Sequence, residues 1–289
     1  MRPNLPPQIN DAVGSLRAAL KGFSANNGSQ HAAAISYYAL LSVFPAAIAA
    51  TAIGGAIIGH DTARDSLVDA IEGAFPLSAK DGRAQVEELV AGVTSGAGTI
   101  GLVGLLGLLF SGSGLIGALR TALGEVFDAP PSRGAVVARL TDIGILFLLG
   151  GLVAASFAIS LASGLGLNIG AEIGLDGAII RFVANAVAAL ISLLLIGSAY
   201  LVLIRLLPGS TPSLRAAWPG LALAVALTEL VRRSFGLYIE NFANYNAVYG
   251  SLGAVIAALS FVYVTSCAFL IGAELVAFRW TAVQPADRS

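Results

Sequence analysis

Apolar positions in this chain come in long unbroken runs, set apart by short polar breaks. Six runs are long enough to cross a bilayer as helices, which takes about 20 apolar residues each. They cover about 32–59, 98–119, 142–166, 178–206, 218–238 and 250–278. A different pattern precedes the first. Ile9, Val13, Leu16, Leu20 and Phe23 recur at spacings of four, three, four and three, the period of one helix face. Arg17 and Lys21 lie beside or opposite that face, so an amphipathic helix is expected, lying on the membrane surface or packed on the bundle. Residues 1–30 form an N-terminal segment, 31–280 the membrane domain and 281–289 a tail.

The breaks carry further signals. Pro45 falls inside the first run, where a kink or local unwinding is expected. The excursion at 60–96 holds seven acids against three bases, and two apolar repeats there (Leu67, Ala70, Ile71, Ala74, then Val86, Leu89, Val90, Val93) predict two short amphipathic helices over the bundle mouth. Its acids read as a solvated face rather than a cation site. Gly107, Ser111, Gly114 and Ala118 give the second span one small-residue face for close packing. Arg120 to Arg139 read as a basic hinge around Pro130 and Pro131, and 208–215 as a turn, with Trp218 and Pro219 opening the fifth span.

Composition agrees with the membrane reading. The chain is 56% hydrophobic and 11% charged, against about 25% charged in a soluble domain, and its mean hydropathy is +0.83. A net charge of −1 gives no basic field for nucleic acid. Cys267 is the single cysteine, so no intramolecular disulfide is possible. With the N-terminus in the cytoplasm, ten bases (Arg2, Arg17, Lys21, Arg120, Arg133, Arg139, Arg205, Arg215, Arg279, Arg288) lie inside and six outside. The excess of positive charge inside favours both termini in the cytoplasm.

The polar residues left inside the apolar frame are the candidate chemistry. Glu229, Arg232 and Arg233 sit at i, i+3 and i+4 on the fifth helix, so the carboxylate can pair with either guanidinium. They form either an ion pair at the outer interface or the wall of a polar cavity that receives an anionic headgroup. Glu240, Asn241, Asn244, Tyr245, Asn246 and Tyr249 follow. Three asparagines so close read as a tight loop, or as a partly buried segment lining that cavity. On the sixth helix Ser260, Tyr263, Cys267 and Glu274 fall on one polar stripe, facing inward or bonding between helices. Glu274 can pair with Arg205 or Arg279, or cap a loop.

SYYALLSVFPAAI (36–48), LPGSTPSLRAAWPG (207–220), YIENFANYNAVYGSLGAVIA (238–257) and GAEL (272–275) resemble the YihY/BrkB family of bacterial inner-membrane proteins. The resemblance runs from about residue 15 to 280 and implies six transmembrane helices in the cytoplasmic membrane. Members have carried the labels virulence factor BrkB and ribonuclease BN, and some are linked to envelope lipid handling. The residues do not support a nuclease. A metal-dependent nuclease needs several Asp, His or Glu ligands on one cation. His31 and His60 are the only histidines, and roughly 28 residues of helix at about 1.5 Å per residue separate them by about 40 Å. The expectation is an all-α, six-span inner-membrane protein that is not an enzyme. It needs no cofactor or metal, and it handles a lipid or envelope precursor near the outer leaflet. Expected partners are membrane lipids, with other envelope proteins or a second copy as further candidates, and no nucleic acid. The alternatives are a membrane scaffold or an ion or small-solute transporter.

Overall fold

The computed structural model describes residues 7–58, 65, 68, 99–129, 140–152, 177–208, 212–241 and 252–283. The described residues form helices and no strand. In chain order the helices are α1 (Pro7–Ala25), α2 (Gly28–Ile58), α3 (Thr99–Val126), α4 (Leu140–Leu152), α5 (Gly177–Leu206), α6 (Leu214–Asn241) and α7 (Leu252–Val283). Four of them, α2, α3, α6 and α7, are long and apolar enough to cross a membrane. Shorter apolar stretches at Leu140–Leu152 and Leu193–Leu206 lie in the third and fourth hydrophobic runs.

Small residues set the helix contacts. On α3, Gly104 faces Ile48 of α2, Gly107 faces Pro45, and Gly114 faces the Tyr38 ring, while Ser111 is buried between them. The face expected from Gly107, Ser111, Gly114 and Ala118 therefore packs on α2. α2 is helical on both sides of Pro45, with no local unwinding. Gly220 of α6 and Gly272 of α7 bring two backbones together: a methyl on Gly272 would stand 2.7 Å from the Gly220 carbonyl oxygen. Ile116, Leu123, Ile204, Leu270 and Val276 fill the core between α3, α5 and α7. Large apolar side chains such as Phe110, Phe147 and Leu194 point outward instead. Exposed apolar surface on this scale marks a lipid-facing or partner-facing wall.

Several boundaries differ from the hydropathy reading, each for a local reason. α3 runs on to Val126, seven residues past the expected end, because Leu119, Ala122, Leu123 and Val126 keep the buried helical period. Arg120 is thus not the start of a hinge. It lies inside α3 and forms an ion pair with Asp142 at the start of α4. α6 begins before Trp218 and Pro219. Ser213 caps it, its hydroxyl accepting from the Ala216 N–H at 3.4 Å and its carbonyl from the Ala217 N–H at 2.9 Å. Pro219 sits in the second turn. α7 continues to Val283, so Arg279 and Trp280 are helical residues, and the Trp280 ring stands edge-on to Phe127 at 6.1 Å.

α1 packs along the end of α7 through Ala19, Gly22 and Phe23. The described side chains of its apolar stripe behave differently: Val13, Leu16 and Leu20 are exposed, and Phe23 packs on the core. Of the amphipathic pair expected at 60–96, only Asp65 and Val68 are among the described residues. Both are helical, Asp65 exposed and Val68 buried.

Candidate functional site

The two ends of the bundle carry different chemistry. At one end, late in α6, Glu229 holds two arginines of its own helix. Arg232 donates from Nε and Nη2 to the two carboxylate oxygens, each at 2.9 Å. Arg233 donates from Nε to Oε1 at 2.7 Å. Helical spacing explains the geometry, since residues three and four apart stand one above another on a helix surface. The result is one negative and two positive charges, a net +1, inside an apolar helix. Glu229 is mostly covered, with 22% of its side chain exposed, and Arg233 is 75% exposed. A guanidinium carries five N–H donors. Among the described residues Arg233 spends one of them, on Glu229, and Arg232 two. Their outward edges can therefore take a planar or tetrahedral anion, as arginine forks do. Phe235 of α6 and Phe261 of α7, with rings 5.3 Å apart, tie this end of α6 to the start of α7.

Of the nine residues expected to build this wall, the structure brings Glu229, Arg232 and Arg233 together. Glu240 and Asn241 lie in the last turn of α6, but their side chains fall outside the described residues. Asn244, Tyr245, Asn246 and Tyr249 fall outside them altogether. The α7 stripe is one helical face with two environments. Ser260 is exposed, Tyr263 packs half-buried on the core, and Glu274 is buried. Glu274 is covered by the α1–α2 connection through Gly22 and Asn26.

The opposite end of the bundle is a polar girdle, of which spacing had singled out Glu274 but not its partners. The Glu274 carboxylate accepts a hydrogen bond from Asn26 Nδ2 at 2.8 Å and presses on Gly22 of α1. Glu274 thus caps a loop, the α1–α2 turn, rather than pairing with Arg205 or Arg279. Asn27 in that turn has a φ of 49°, a left-handed conformation that asparagine tolerates better than most residues. His31 Nε2 lies 2.9 Å from Glu125 Oε2, joining α2 to α3, and Arg120–Asp142 joins α3 to α4. The Asn26-Asn27-Gly28 run was the available signal, since it is turn chemistry between two helical patterns. In the interior, Tyr200 and Thr228 share a hydrogen bond of 2.8 Å between α5 and α6, and the Tyr200 ring packs on Phe269 at 4.7 Å. Among the described residues, no three of His, Cys, Asp and Glu converge as metal ligands.

Long apolar helices, glycine-mediated contacts and outward-facing aromatic and aliphatic side chains define a polytopic α-helical membrane protein. The family model described as "Virulence factor BrkB" matches residues 19–288, and the chain belongs to that family. Its relatives include the UPF0761 membrane protein RC1_0578 of Rhodospirillum centenum, 28% identical over 96% of this chain. A second is the protein of Bacillus subtilis named ribonuclease-like protein YfkH, 27% identical over 90% of this chain and 93% of the relative. A third is the UPF0761 membrane protein PSHAa0171 of Pseudoalteromonas translucida, 24% identical over 84% of this chain and 78% of the relative. The chain spans 60% of the length of the Rhodospirillum protein. No solved structure shows a significant match.

Proposed function

We propose that this protein binds and moves an anionic lipid or envelope precursor of the bacterial inner membrane, with Arg232 and Arg233 receiving its headgroup near the outer leaflet. The observation that carries the reading is the charge trio on α6. Two arginines share one carboxylate and keep free N–H groups, in a helix otherwise suited to hydrocarbon. A charge within the hydrocarbon costs up to about 2.5–3.5 kcal/mol on insertion scales, so two arginines within an apolar span favour a place where an anion can meet them. Glu229 aligns both guanidinium planes in advance, which lowers the ordering cost of binding. Glu240, Asn241, Asn244, Tyr245, Asn246 and Tyr249 extend this wall in the reading. Ser260 and Tyr263 continue it on α7, and Glu274 closes the opposite end. The site assigns no bond-breaking step to the chain and needs no metal, cofactor or nucleic acid. Six spans, with both termini in the cytoplasm, are the topology that goes with it. The distribution of bases supports that orientation.

Lipid retention tests the reading. Purified protein in bicelles of phosphatidylethanolamine and phosphatidylglycerol is examined by native mass spectrometry. The wild type is expected to retain phosphatidylglycerol in preference, and the Arg232→Gln/Arg233→Gln variant to lose about tenfold in that preference. Tenfold is about 1.4 kcal/mol, the scale of one charged hydrogen bond. Equal retention of the two lipids by the wild type, or the same preference in the variant, defeats the proposal.

A further inference from the structure

α1 carries surface that the bundle does not use. Its contact with α7 is made by Ala19, Gly22 and Phe23, and Val13, Leu16 and Leu20 remain exposed. At about 100° per residue these three form one strip. The bundle contact borders the strip on one side, and exposed Arg17 and then Lys21 border it on the other. Its C-terminal end is tied to the bundle, because Gly22 and Asn26 meet Glu274 two turns before the end of α7. Phe278, one turn beyond Glu274 on the same face of α7, is exposed as well, and so is Trp218 at this end of α6. Indole rings suit the boundary between hydrocarbon and headgroups.

We propose that α1 is an interfacial strap. Val13, Leu16 and Leu20 lie in the acyl boundary of the leaflet on the side of the termini, and Arg17 and Lys21 hold anionic lipid headgroups there. The order bundle, apolar strip, cations is the order a helix needs when it lies in the membrane plane against a transmembrane bundle. Charge complementarity selects anionic lipid, because two cations and no acid border the strip from Val13 to Ala25. Size argues against a protein occupant. Three partly exposed side chains fall far short of the roughly 800 Å² per partner of a stable interface. The strap is independent of the headgroup site on α6, at the other end of the bundle.

The test uses the full chain with Cys267→Ser and single spin labels at Leu16, Leu20 or Ala25. Samples are compared in nanodiscs of phosphatidylcholine with one quarter phosphatidylglycerol and in pure phosphatidylcholine. In the mixed nanodiscs, labels at Leu16 and Leu20 are expected to be reached by oxygen and shielded from a water-soluble nickel chelate, and the label at Ala25 to show the reverse. Pure phosphatidylcholine, or Arg17→Gln/Lys21→Gln, is expected to raise nickel access at Leu16 several-fold. Nickel access at Leu16 in the mixed nanodiscs overturns the proposal. So does a depth indifferent to phosphatidylglycerol, or labels at both leucines immobilised by protein and shielded from both reagents.

Discussion

Two polar pairs test how single residues hold this membrane bundle. Glu274 is buried and takes its described hydrogen bond from Asn26. Removing a donor leaves the acceptor desolvated, at about 1–3 kcal/mol, whereas changing the acceptor to an amide keeps a partner. Asn26→Ala is therefore expected to lower the melting temperature in detergent clearly more than Glu274→Gln. The girdle has no such role if the two variants melt together at the wild-type temperature. Arg120 and Asp142 are both largely covered. Loss of one partner of a buried pair costs about 3–5 kcal/mol, while replacing both with apolar residues of similar volume is often close to neutral. Arg120→Met and Asp142→Leu singly should destabilise strongly, and together recover most of the loss. Additive losses in this double-mutant cycle would show that the two side chains do not act as a pair. Both pairs explain why the polar positions were harder to read than the apolar ones. Hydropathy weighs Arg120 alone and reads the end of a span. Its partner stands 22 positions later and is set beside it only by the fold.

Helix existence was legible because apolar runs of this length have few other uses. The fourth run predicts 178–206 and the helix is Gly177–Leu206. Boundaries were less legible where a short-range rule competed. Pro219 suits a first turn in general, yet Ser213 supplies a better cap five residues after the proline-rich turn begins. α1 was ambiguous in another way. Its apolar face left open whether it meets the membrane or the bundle; only Phe23 among its described side chains packs on the core, beside Ala19 and Gly22, whose small size lets α1 approach Glu274 closely. The same logic governs α6 against α7. Gly272→Ala would place a methyl 2.7 Å from the Gly220 carbonyl oxygen and against Ala224, and the backbone has to move apart. Overpacking of this kind costs about 1–3 kcal/mol. A lowered melting temperature is expected, and partial recovery with Ala224→Gly, which vacates the facing position. Unchanged stability of Gly272→Ala would mean that the two helices are not in close contact.

At the scale of the whole molecule, the contacts give the chain a direction. Asn26 at the start of α2 meets Glu274 near the end of α7, so the path between them crosses the bundle an even number of times. His31–Glu125 and Phe235–Phe261 show that α2 runs antiparallel to α3, and α6 to α7. The girdle and the Glu229 trio consequently lie at opposite ends. We propose from charge, not from packing, that the girdle end faces the cytoplasm. Positive charge flanking the spans resists translocation, and the girdle end carries Arg17, Lys21, Arg120, Arg205, Arg215 and Arg279 on its helix ends. Cysteine scanning in the Cys267→Ser chain turns this into a measurement on intact cells. A cysteine at Ser24 or Thr281, both exposed, is expected to react with a membrane-impermeant maleimide only after permeabilisation. A cysteine at exposed Ser234, beside the arginines, is expected to react without it. The reverse pattern would invert the protein and put the Arg232–Arg233 fork on the cytoplasmic leaflet. Reaction of Ser24 and Thr281 from opposite sides would contradict the even crossing, and with it the Asn26–Glu274 contact on which the polarity of the bundle rests.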